Sequence, residues 1–135
     1  MKDLYVDDLA EETGKLFQNW AWKNLNMDAM VTQYMCSHLR ENIDKRYARF
    51  CTQSWNDMDR QFQAVEGTTA YDPLLCDWLG YFYTYLQQHT GKSSRAIIQQ
   101  YPFEFMYVKS NVLHDLDMDL AIERWVGHEK NNMLP

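Results

Sequence analysis

Apolar residues recur along most of this chain at helical spacing. Over 3–23, Val6, Leu9, Thr13, Leu16, Phe17 and Trp20 fall on one side of a helix. Asp3, Asp7, Asp8, Glu11 and Glu12 concentrate acid in its first turns, where the helix dipole favours anions. Gly14 is a weak point in the middle, and 24–26 offer a break. Asp28 can cap a second helix of about 29–50, with Met30, Tyr34, Leu39, Ile43, Tyr47 and Phe50 on one face. Arg40, Lys45, Arg46 and Arg49 fall mostly on its outer side, as a solvated face with intrahelical ion pairs. Residues 51–54 continue or kink it. Asn56 can cap a shorter helix of about 57–65 carrying Met58, Phe62 and Val65. Gly67-Thr68-Thr69 reads as a loop, and 67–71 as a candidate subdomain hinge too short to link independent domains.

Start and stop signals are clearest after that loop. Asp72 caps a helix of 73–89 with Pro73 at its first position. Leu75, Leu79, Phe82 and Leu86 form its stripe, with Trp78 beside it, and Gly91 suits the left-handed residue past its end. The run Tyr81 to Tyr85 has β propensity, which the caps and the length of the segment override. Ser93 caps a helix of about 94–101 with Ile97 and Ile98. Pro102 begins another of about 103–112, with Phe103, Met106, Tyr107 and, as a further candidate, Val108 facing inward. A last helix of about 118–126 carries Leu120, Ala121, Ile122 and Trp125, and 128–135 form a frayed polar tail. The pattern predicts an all-α compact bundle of five to seven helices in a single domain. Its acidic N-terminal helix packs on a C-terminal helical cluster.

Composition narrows the function classes. The 135 residues are 46% hydrophobic, enough for a core without staples, and carry a net charge of −6. That charge argues against non-specific nucleic-acid binding, where lysine and arginine displace counterions, and fits a soluble protein with a basic partner. The cysteines, Cys36, Cys51 and Cys76, are odd in number and widely spaced. They read as buried free thiols in a reducing compartment. The first residues lack the apolar centre of a signal peptide, and no run reaches the roughly 18 apolar residues of a membrane span. The expected location is the cytoplasm, away from membranes.

Catalytic and metal motifs fail on inspection. Asp115, Asp117 and Asp119 alternate like the start of a calcium loop. The glycine and the acid that such a loop needs at its sixth and twelfth positions are replaced by Leu120 and Val126. None of His38, His89, His114 and His128 sits in a metal-binding pair. His38 reads as a core or boundary residue. His114, near Asp115 and Asp117, is the one place where an enzyme could be centred. Gly91-Lys92-Ser93 resembles the end of a phosphate loop, but Leu86 stands where the upstream glycine belongs. No catalytic residue, cofactor or metal is assigned.

The aromatic surplus points to a protein partner. Five Trp, nine Tyr and six Phe exceed what a domain this small must bury, and Tyr and Trp favour interfaces. Trp78, Tyr81, Tyr85 and Tyr107 are the expected contacts, with Asp7, Asp8 and Glu11 available to a basic partner or a second copy. The alternative is a nucleic-acid-binding regulator with a helix-turn-helix-like segment over 81–111, using Arg46, Arg49, Lys92 and Arg95.

The C-terminal third carries one family likeness. Tyr81-Phe82-Tyr83, the run His89-Thr90-Gly91-Lys92-Ser93, Tyr101, Val112-Leu113-His114 and Ala121-Ile122 together resemble a family of short helical bacterial proteins with no established activity. Members of that family are often encoded beside ADP-ribosyltransferase-like toxins. The resemblance implies an antitoxin-like or mobile-element accessory role, and it brings no catalytic residues.

Overall fold

The computed structural model describes residues 2–132, with the backbone alone beyond 127. The described residues form helices α1 (Val6–Trp22), α2 (Met27–Met35), α3 (His38–Asp44), α4 (Ala48–Cys51), α5 (Trp55–Asp59), α6 (Pro73–Thr90), α7 (Ser94–Gln100), α8 (Phe103–Leu113) and α9 (Met118–Asn132). The all-α bundle is as expected. It has more and shorter helices than the periodicity suggested.

The extra helices come from the expected 29–50 segment, which is three helices. Asn26, rather than Asp28, caps α2: its Oδ1 accepts from the Ala29 amide at 3.0 Å. Ser37 then breaks the run. Its hydroxyl accepts from the Arg40 amide at 3.0 Å and donates to the Tyr34 carbonyl at 2.6 Å, ending one helix while starting the next. Arg46 closes α3 in a left-handed conformation, φ 59°. Its guanidinium holds that conformation by bonding Asp3 at 2.8 Å and the Ile43 carbonyl at 2.9 Å. The same breaks rotate side chains off the expected face. His38, at the start of α3, is exposed, and so is Tyr47. The expected 57–65 helix is the shorter α5, capped by Ser54 instead of Asn56. The chain beyond it runs irregularly and is tied to the α1–α2 link. The Asn26 amide donates to Val65 at 2.8 Å, and that of Gly67 to Asn24 at 3.2 Å.

The second half follows its punctuation. Asp72 Oδ1 accepts from the Leu74 amide at 2.9 Å, and Gly91 is left-handed at φ 70°. Ser93 caps α7. α9 continues through Gly127 to Asn132, because an interior glycine costs a helix only about 1 kcal/mol and no proline follows at once. Residues 133–135 of the expected tail lie outside the described residues.

α1 and α6 pack at very close range where each carries a glycine. A Cβ on Gly80 would lie 2.6 Å from the Gly14 nitrogen, and one on Gly14 would lie 2.9 Å from the Asp77 carbonyl oxygen. Gly14, read from sequence as a weak point, is therefore a contact point: without side chains the two backbones touch. Around this crossing sits an aromatic core in which Phe17, Trp20, Tyr34 and Phe62 meet mostly edge to face. The Trp20 indole donates to Asp59 at 2.7 Å.

The largest departure from expectation is Arg40. Placed by periodicity on a solvated face, it is 0% exposed. Its guanidinium donates to Tyr34 at 2.8 Å, Ser94 at 3.0 Å, Thr13 at 3.2 Å, Thr84 at 3.3 Å and Asp44 at 3.3 Å. Asp44 in turn accepts from the Ser94 amide and hydroxyl, both at 2.7 Å. Burial works against the charge of Arg40, but Tyr34 and Asp44 outweigh it and hold the group more firmly protonated than usual. The partners come from α1, α2, α3, α6 and α7. The residue is a buried rivet and has no surface role.

Candidate binding groove

Helix α6 carries two apolar stripes side by side. Leu75, Leu79, Phe82 and Leu86 face the core and are buried. One position back, Leu74, Trp78, Tyr81 and Tyr85 form a second stripe that the core cannot cover. Leu74 is 69% exposed, and the other three are half-buried. Opposite this second stripe runs the connection from α8 to α9. Between them lies an open groove of about 640 Å³, lined by Asp72, Leu74, Trp78, Tyr81, His114 and Asp117 together with Leu75, Asp77, Leu116 and Met118.

Trp78 is held ready within it. Its ring stacks on Phe82, centroids 5.1 Å apart, so one face is fixed against the core. Tyr81 and Asp77 are packed around Gly14, which lets α1 approach closely enough to wall in that end. Burial raises the Asp77 carboxyl above its usual range; Lys15 of α1 opposes this and Glu11 adds to it. The Tyr81 phenol is likewise raised by burial, with Asp77 and Glu11 adding to it. Among the described residues the Asp77 carboxylate has no hydrogen-bond donor and no direct ion pair. Lys15, the cation acting on it, is bound to Glu11 at 3.0 Å and Glu12 at 3.5 Å.

His114 lies on the far wall. Its Nδ1–H donates to the Ser110 carbonyl at 2.8 Å, and Nε2 stands 3.3 Å from Asp115. The ring is therefore tied to its own helix end. Burial pushes the Cys76 thiol up to about 12 and raises Cys51 as well, which disfavours the thiolate a nucleophile needs at both. Among the described residues no three His, Cys, Asp or Glu side chains converge as a metal's ligands would.

The expected contact residues divide. Trp78 and Tyr81 come together in the groove, and Glu11 borders it through Asp77. Tyr85 donates to Asp7 at 2.7 Å, joining α6 to α1. Tyr107 accepts from the Asp72 amide at 2.8 Å and packs on Tyr71, supporting the groove from below. Asp8 lines a separate depression with Leu4, Glu12 and Ser54. The cations of the nucleic-acid alternative are each engaged locally. Arg46 pairs with Asp3, Arg49 covers the Phe50 ring, Lys92 bonds Gln100 at 3.1 Å, and Arg95 bonds the Cys36 carbonyl. Sequence reasoning missed Leu74, Asp77, Leu116 and Met118. The legible signal was the offset stripe at 74, 78, 81 and 85, too wide for one core-facing side. A second exposed apolar row was missed on α8, where Val108 and Val112 are 65% and 77% exposed beside Phe105. Val108 therefore points outward, because the buried side of α8 is filled by Phe103, Met106 and Ser110.

Comparison with known proteins adds no relative: no family model, curated protein or solved structure matches this chain. Among the described residues, no helix is long and apolar enough to cross a membrane.

Proposed function

We propose that this chain is a non-enzymatic protein-binding module whose contact surface is the groove between α6 and the α8–α9 connection. The observation that carries the reading is the second stripe of α6. Trp78 and Tyr81 stand half-exposed beside an exposed Leu74, on a rigid helix and with pre-set side chains. Tryptophan and tyrosine in such settings concentrate binding energy, since burying them completes an area the fold leaves wet. The resemblance of the C-terminal third to proteins encoded beside toxins favours an antitoxin-like or accessory role, with a toxin as the partner to look for.

The test is a tagged pull-down from the native host, with mass spectrometry of the bound material and a nuclease-treated arm. A stoichiometric, nuclease-resistant protein is the expected result. Trp78→Ala and Tyr81→Ala should each weaken its affinity at least about tenfold while leaving the helical circular dichroism unchanged. Unchanged affinity in both variants sinks the groove as the contact surface. A nuclease-sensitive or empty result sinks the module reading.

A further inference from the structure

The groove has a sign as well as a shape. Among the described residues its lining contains the carboxylates of Asp72, Asp77 and Asp117, and neither a lysine nor an arginine. One Asp72 oxygen is engaged with the Leu74 amide as the helix cap. Asp77 is half-buried beside Trp78 and Tyr81 with no donor to satisfy it among the described residues. A carboxylate in that position is costly to keep: burial disfavours its charge, and Glu11 on the neighbouring helix repels it. Lys15 offsets this only in part, since it is bound to Glu11 and Glu12. An asparagine would fill the same space without the charge. The carboxylates do not converge as a metal site. They lie along an apolar floor of Leu74, Trp78 and Met118.

We infer that the groove selects a partner segment that places an arginine or lysine beside an aliphatic or aromatic side chain, with Asp77 as the specificity-determining residue. The cationic head meets Asp77 and the ring faces of Trp78 and Tyr81, where a desolvated cation is attracted by both charge and π-electrons. The neighbouring apolar side chain covers Leu74 and Met118. This inference rests on the protein-binding reading above and adds the chemistry of the occupant. The charge complementarity argues for an ordered contact, because the stem of an arginine or lysine is itself apolar and lies along such a floor.

The test is selection of a displayed random dodecamer library against the intact chain, followed by calorimetric titration of the synthesised winners into wild type, Asp77→Asn and Trp78→Ala. The expected winners carry arginine or lysine next to leucine or an aromatic residue. Their affinity should fall about tenfold, or about 1.4 kcal/mol, in Asp77→Asn, fall further in Trp78→Ala, and weaken with added salt. Asp77→Asn itself should melt no lower than wild type, which separates lost recognition from lost fold. Winners without a basic residue, or winners that bind Asp77→Asn as tightly as wild type, overturn the assignment of Asp77. They leave the protein-binding reading standing, because that reading is judged by the pull-down. Failure to select any peptide, or displacement of the winners by spermidine at equal concentration, overturns the peptide segment as the occupant.

Discussion

Two polar clusters lie against α6, and the protein treats them in opposite ways. Around Arg40 every charge is closed in. The guanidinium meets four hydroxyls and a carboxylate, and that carboxylate is itself bound by Ser94. Around Asp77, toward the other end of the helix, the carboxylates face an open groove with aromatic walls and, among the described residues, no lysine or arginine in its lining. Burial disfavours both Arg40 and Asp77 as charged groups, yet only the first is compensated inside the fold. A satisfied buried charge fixes architecture. A half-buried charge with no donor among the described residues is where the proposed partner's cation would dock.

Three changes test that contrast. The largest effect is expected from Arg40→Met, which strands Asp44 and removes donors from four hydroxyls. Urea denaturation should show a loss of about 3–5 kcal/mol, and adding Asp44→Asn should restore part of it. A loss under about 1 kcal/mol would mean that the network is not structural. Next is Gly80→Ala. The new methyl meets the backbone of α1, which cannot move aside as a side chain could. A loss of about 1–3 kcal/mol is expected in the same assay. A neutral result would show that α1 and α6 can separate without penalty.

The smallest effect has the opposite sign. Burial raises the carboxyl pKa of Asp77 in the folded state, so its ionisation opposes folding. The favourable, protonated condition is fully present below the usual carboxylate range and is lost as pH rises through the raised pKa. Glu11 and Lys15 of α1, the capping Asp72 and Tyr81 of α6, and His114 and Asp117 of the opposite wall face the same space. Asp77→Asn should therefore raise the melting temperature slightly at neutral pH, with the gain shrinking as pH falls. Thermal melts from pH 3 to pH 8 read this directly. A variant less stable than wild type at pH 7 would mean that Asp77 belongs with the structural cluster.

The legible part of the fold was the part governed by local punctuation. Asp72, Pro73 and Gly91 bound α6, and Ser93 and Pro102 open the next two helices, because caps and prolines act within one turn of where they stand. The 29–50 segment was misread because its apolar spacing survives two interruptions. The breaks depend on Ser37 bonding two backbone groups at once and on Arg46 being pinned by Asp3, which is 43 residues away. Arg40 was placed outside because an arginine in a basic cluster is ordinarily solvated. Its partners at Thr13, Thr84 and Ser94 leave no trace in the spacing around it. The groove was half legible. Trp78 and Tyr81 stood out as surplus aromatics, whereas its far wall is a turn between two helices whose position depends on the packing of α8 and α9.

The Arg40 rivet also bears on how the chain comes apart. Its acceptors span Thr13 to Ser94, so no contiguous stretch of sequence can satisfy it alone. An assembly that lacks α7 would leave the guanidinium without Ser94, and one that lacks α1 would leave it without Thr13. Either must readmit water to the centre of the bundle. Helices as short as α3 and α7 have little stability of their own in water. The molecule is thereby made a single cooperative unit: far-ultraviolet and near-ultraviolet signals should vanish together on unfolding, with no compact half-structure in between.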